Sequence, residues 1–117
     1  MIIFNDKQYG SSAEIFFDIF NDRLKLMIVW YLSSNTLRFK ELTTLLAPIT
    51  NKTLTAKLKE LENLGLLTKT VYAEVPPKVE YALSSQGAAL KPVIDEILAW
   101  SQGYANEFGT KIHEEPK

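Results

Sequence analysis

The chain has no cysteine, a single histidine and only five glycines and five prolines in 117 residues. Without cysteine there is no disulfide, no thiolate metal ligand and no thiol redox chemistry within these residues. One histidine, His113, cannot build a histidine metal cluster. No glycine-rich phosphate loop and no nucleophile–base arrangement appears, so nothing resembles an enzyme's machinery and no cofactor is expected. Glu14 with Asp18, and Asp95 with Glu96, read as helix-surface charges. No apolar run reaches the roughly 18 residues that a membrane helix needs. The opening Met1-Ile2-Ile3-Phe4-Asn5-Asp6 lacks the basic region, apolar core and small-residue cleavage site of a leader, so a cytoplasmic place is expected.

What is present is ordinary: 46% hydrophobic and 23% charged residues, enough for one globular domain with a real core. The net charge is only −1, but it is unevenly spread. Residues 1–37 sum to −1, residues 38–78 to +3 and residues 79–117 to −3. A phosphate partner responds to the local patch rather than the whole-chain sum, and the cations gather in the middle third.

That third is organised around residues 50–66. Thr50 is placed to cap a helix, and Gly65 to end it in a left-handed conformation. Leu54, Leu58 and Leu61 recur at helical spacing, with Leu64 extending the row, and form the buried face. Lys52, Ala56, Lys59, Glu60 and Asn63 fall opposite, with Thr53, Thr55 and Lys57 on the flanks. No acid precedes Glu60. A helix that enters a DNA groove by its N-terminal half needs this pattern. Taken alone, the same pattern also describes a solvated amphipathic helix; its neighbours decide.

Residues 1–10 read as an arm without regular structure. Ser11 and Ser12 are caps for a first helix, about 12–20, which is dense in Ile15, Phe16, Phe17, Ile19 and Phe20 almost all round. Such a helix is either deeply buried or meets a second subunit. Asp22 caps a second helix, about 23–33, and residues 33–36 form a polar turn. A short third helix spans 38–46, stopped by Pro48, and the link to the next helix is short enough for a helix-turn-helix. After Gly65 the period changes to that of strands, 66–72 and 79–83. Between them the tip 73–78 carries Pro76-Pro77 and Lys78, which either meets phosphate or a minor groove or is a stiff solvated loop. Ser84-Ser85 cap the last helix, in which Pro92 implies a kink or a restart. Its apolar Val93, Ile94, Ile97, Leu98, Trp100, Tyr104 and Phe108 exceed what a small core can cover. With the first helix they predict a homodimer built from both chain ends, through Ile15, Phe16, Ile19, Val93, Ile97, Trp100 and Tyr104. Residues 109–117 read as a tail. The fold class is therefore mainly α with a small β-hairpin: a winged helix-turn-helix over 11–108 with N- and C-terminal dimerisation helices.

Four stretches carry a family resemblance. Leu37-Arg38-Phe39-Lys40-Glu41-Leu42, the helix from Ile49 to Glu62, the wing from Val71 to Tyr81, and Leu83-Ser84-Ser85-Gln86-Gly87 with Pro92-Val93-Ile94 and Trp100 resemble the HxlR-type winged-helix transcriptional regulators, relatives of the MarR family. The match covers about residues 11–101, and the wing Val71-Tyr72-Ala73-Glu74-Val75-Pro76-Pro77-Lys78-Val79-Glu80-Tyr81 is its most specific part. The resemblance implies double-stranded DNA as partner, contacted by Thr50, Asn51, Lys52, Thr53, Lys57 and Lys78, with Arg38 on a phosphate. It also implies a dimer on a pseudo-palindromic site. Two departures stand out. The cysteine that many such regulators carry before the first helix is Ser11 or Ser12 here, which excludes thiol sensing. The family's G-G-K-W before the second helix is Asn21-Asp22-Arg23-Leu24, expected to alter only that helix's entry. A winged helix serving as a protein-interaction module is the alternative, but it would drop the cations that Lys52, Lys57, Lys59 and Lys78 supply. A small-molecule effector is a further partner left open, with Phe16, Phe20, Trp30, Tyr31 and Trp100 as candidate lining.

Overall fold

The computed structural model describes residues 1–110. Of the expected tail only Gly109 and Thr110 fall within them, and His113 lies outside. Along the chain, β1 (Ile2–Phe4) and β2 (Lys7–Tyr9) precede α1 (Ser12–Ile19) and α2 (Arg23–Leu32). Then come β3 (Leu37–Arg38), α3 (Phe39–Leu45), α4 (Asn51–Asn63), β4 (Leu67–Tyr72), β5 (Lys78–Leu83), α5 (Ser85–Ala88) and α6 (Lys91–Phe108). This is the winged helix-turn-helix architecture: α3 and α4 as the helix pair, β4 and β5 as the wing.

Two elements correct the sequence reading. The first ten residues are a β-hairpin rather than an unstructured arm, with Ile2 opposite Tyr9 and Phe4 opposite Lys7. The turn is possible because Asn5 and Asp6 take φ of 51° and 61°, a region their short polar side chains tolerate. Tyr9 anchors the hairpin: it is 5% exposed, and its hydroxyl donates to Asp18 of α1 at 2.7 Å. The second correction concerns Leu37 and Arg38. Arg38 does not start α3; with Leu37 it forms a strand whose residues pair with Glu80 and Tyr81, which makes the wing a three-stranded antiparallel sheet of order β3-β5-β4. Leu37 is buried there, so the strand is held by its side chain as well as its ladder.

Helix ends follow local chemistry. Ser11, Asp22, Thr50 and Ser84 accept from backbone amides of Ala13, Lys25, Thr53 and Gly87 in the first turns of α1, α2, α4 and α5. Gly65 closes α4 at φ 76°, a conformation that costs glycine little. Pro92 produces the restart: α5 ends before it, and α6 opens at Lys91 with the proline in its first turn, where no amide donor is needed.

The core lies where α2, α4 and the wing sheet meet. Ile28, Val29, Leu42, Leu54 and Leu61 are fully buried, and Leu58 nearly so. The leucine row of α4 thus faces inward as its spacing dictates, leaving Asn51, Lys52, Thr55, Ala56 and Lys59 exposed. The chain ends differ. No residue of α1 is buried, and of α6 only Ile94 is.

Candidate nucleic-acid interface

The N-terminal turn of α4 is open on its polar side. Thr50 Oγ1 accepts from the Thr53 amide at 3.1 Å and donates to Thr53 Oγ1 at 2.9 Å, so these two hydroxyls fix the start of the helix. Asn51 and Lys52 follow, both exposed, and the turn contains no acid. Backbone amides at a helix start and the helix dipole favour an anion at this place. Lys52 and Lys59 take part in no ion pair among the described residues, and the same holds for Arg38, Lys40 and Lys69.

Lys57 is placed differently. Its ammonium lies 2.6 Å from Asp22 Oδ2. The hydrogen bond that Lys57 donates to Asp22 raises the Lys57 pKa against the opposing effect of burial, and the charges of Asp22 and Glu60 add to it. Burial works against the ionised Asp22, yet Lys57, the Lys25 amide and both lysine charges hold that carboxyl below its ordinary value. Three residues along, Glu60 reaches 2.6 Å from the ammonium of Lys25, a lysine only 5% exposed. Lys25 donates to the Ile19 carbonyl at 3.1 Å and to Asn21 Oδ1 at 3.3 Å, so the buried ammonium has two neutral acceptors besides its carboxylate partner. The segment that replaces the family's G-G-K-W therefore supplies one charged anchor for α4, Asp22, and the residue that follows the segment, Lys25, supplies a second.

The wing and the start of α3 form a second cationic surface. Arg38 is exposed at the N-cap of α3, where its backbone amide donates to Glu41 Oε1 at 2.9 Å. A groove of about 480 Å³ runs between this end and the wing tip, lined by Arg38, Lys40 and residues 74–79. Lys78 is folded onto the wing: its ammonium is 3.8 Å from Glu80 and 4.7 Å from the centroid of the Tyr72 ring. Val75 at the tip is wholly exposed. Lys40 is the residue that sequence reasoning missed. Its nearness to Arg38 was visible, but the approach of the wing, 34 residues and more down the chain, was not.

The seven residues expected at DNA thus divide. Thr50, Asn51, Lys52 and Thr53 share the first turn of α4, Arg38 and Lys78 line the groove between α3 and the wing, and Lys57 is paired with Asp22. The residues expected at a dimer seam also divide. Val93, Ile97, Trp100 and Tyr104 are 48%, 42%, 68% and 54% exposed on α6, whereas Ile15, Phe16 and Ile19 of α1 are half-buried. On α6, Trp100 stacks on Tyr104 at 5.3 Å, and Tyr104 meets Phe108 at 4.8 Å. The five aromatics offered as an effector lining separate into Phe16 against Phe20, Trp30 against Tyr31, and Trp100 on its own ladder.

Known proteins agree with this architecture. The family model for the HxlR-like helix-turn-helix matches residues 19–108. The HTH-type transcriptional regulator YtcD of Bacillus subtilis strain 168, itself uncharacterised, is 38% identical over 100 residues, covering 86% of this chain and 79% of YtcD. Its crystal structure superposes with a TM-score of 0.77 over 82% of this chain and 98% of that one. A chain from Porphyromonas gingivalis W83 assigned to the MarR family gives 0.76 at 32% identity, over 82% and 94% of the two chains. The redox regulator HypR in its reduced form also gives 0.76 at 32% identity, over 80% and 93%. The chain belongs to the HxlR-like helix-turn-helix family, whose matched relatives are transcriptional regulators.

Proposed function

We propose that the protein is a transcription regulator that binds a pseudo-palindromic DNA site as a homodimer, with α4 in the major groove and the wing on the adjacent backbone or minor groove. The observation that carries this reading is the first turn of α4. It is exposed, acid-free and unpaired, and a separate groove gathers the cations Arg38, Lys40 and Lys78 between the start of α3 and the wing tip. Asn51 is the base-reading candidate, because an amide can bond an adenine edge bidentately. Lys52, Arg38 and Lys40 supply phosphate contacts, and Thr50 and Thr53 hold the helix start. Lys78 joins them by leaving a weak 3.8 Å pair with Glu80. Lys57 reaches DNA only by giving up Asp22, so its larger part is to anchor α4.

The homodimer reading rests on α6. An aromatic and aliphatic face this exposed is rare on a monomer, and a second copy of the same face would cover it. These 117 residues hold no cysteine, so the redox character in HypR's name does not carry over to a thiol here.

Fluorescence anisotropy with the intact chain tests the assignment. Lys52→Ala should weaken binding to every duplex alike and lower the salt slope by about one. Asn51→Ala should cost about 1–3 kcal/mol on the preferred sequence only. Equal loss on preferred and random DNA for Asn51→Ala removes it from base reading.

A further inference from the structure

A cavity of about 300 Å³ opens between the N-terminal hairpin, α1 and the C-terminal half of α4. Its apolar walls are Phe4, Tyr9, Ile19 and Leu64, and its polar walls include Asp18, Glu60 and the buried Lys25. That size suits a molecule of about ten heavy atoms, at the small end of ligand sites.

The hydrogen-bond inventory decides what kind of molecule fits. Lys25 donates to Ile19 and Asn21 and its charge is already matched by Glu60 at 2.6 Å, so it offers no unpaired cation to an anion. The Tyr9 hydroxyl donates to Asp18 Oδ2, and so does Lys7 at 2.9 Å. What remains open is acceptor capacity: Oδ1 of Asp18 and Oε1 of Glu60 receive no hydrogen bond among the described residues. Lys7 displays the chemistry in miniature, its ammonium on Asp18 and 5.1 Å from the centroid of the Tyr9 ring. We propose that this cavity binds a small organic cation, an amine carried on a flat apolar body, with the ammonium on Asp18 and Glu60 and the body against Phe4, Tyr9, Ile19 and Leu64.

The cavity wall includes the recognition helix itself. Glu60 is the partner of Lys25 in one of the two ion pairs that anchor α4, so an ammonium that shares Glu60 weakens that anchor. Amine binding and DNA binding are therefore coupled, and each lowers the affinity for the other by the same factor. This coupling rests on the DNA-binding reading; the amine site does not.

Calorimetric titration of the intact protein without DNA keeps the two separable. The probe is 2-phenylethylamine, with 3-phenylpropionate as an anion of similar shape. One amine should bind per chain, at least tenfold more tightly than the anion. Asn63→Trp, which fills the cavity mouth from an exposed helix position, should abolish the amine signal while leaving the circular dichroism unchanged. An anion that binds as well as the amine, or an Asn63→Trp variant that binds it unchanged, overturns the site. Salt-matched DNA titrations with and without saturating amine then read the coupling. A several-fold loss of DNA affinity in the wild type, absent in Asn63→Trp, supports it, and an unchanged DNA affinity overturns it.

Discussion

Lys25 and Asp22 set the character of this chain at the scale of single residues. Neither is where a helix-turn-helix draws its DNA contacts, yet between them they hold Glu60 and Lys57, each at 2.6 Å. Their cost in desolvation is offset because Asp22 and Lys25 are each hydrogen-bonded as well as ion-paired. Asp22→Asn tests the arrangement cleanly, since asparagine keeps the helix cap and removes the charge. The native carboxyl lies below its ordinary value, so its contribution is present at neutral pH and vanishes as the pH falls through that lowered value. Chemical denaturation should find Asp22→Asn less stable by about 1 kcal/mol at pH 7, with the difference closing in acid as the native carboxyl is protonated. A difference that persists unchanged in acid would show that the loss is not electrostatic. The leucines and the Thr50 cap were legible in the sequence, because they obey local rules of spacing and capping. The Asp22–Lys57 and Lys25–Glu60 pairs were not, because each joins positions 35 residues apart.

At the scale of elements, α4 and the wing were read almost to the residue, since cap, leucine period and proline tip each mark a boundary. Two glycines have unequal parts in this. Gly65 sits at φ 76° with open space around it, so Gly65→Ala pays only backbone strain, about 1 kcal/mol. Gly87 lies where a Cβ would run into the carbonyl oxygen of Leu66, so Gly87→Ala must push α5 off the end of β4. Thermal melts should rank Gly87→Ala well below Gly65→Ala; the reverse order would mean that α5 yields freely. Inside the core, Leu58→Ala should cost about 2–5 kcal/mol by opening a cavity among residues that are already fully packed. The elements that sequence reasoning misread are β1, β2 and β3. All are two or three residues long, too short for alternation to register, and β3 exists only because β5 passes beside it.

At the scale of the molecule, the Cα radius of gyration is 17.3 Å, against about 13 Å for a compact chain of this length. The excess fits an 18-residue α6 that buries only Ile94, together with a hairpin carried at the other end. Both are shapes that a partner copy would complete. Ile97→Glu, at a position already 42% exposed, should leave the single chain folded and reduce the sedimenting mass to that of one chain. A variant that still sediments as two chains would remove α6 from the seam. The excess apolar surface of the last helix was visible in the sequence, whereas its projection away from the core was not.

A dimer with two copies of α4 exposed should read a specific inverted repeat. Selection of genomic fragments with the purified protein, followed by salt-dependent binding to what is recovered, tests it most directly. The expected result is an enriched inverted repeat with half-sites about one helical turn apart, bound about a thousandfold or more tighter than random duplex. Recovery of no common sequence, with only weak and salt-sensitive binding, would contradict it and make α4 and the wing a surface for docking protein instead.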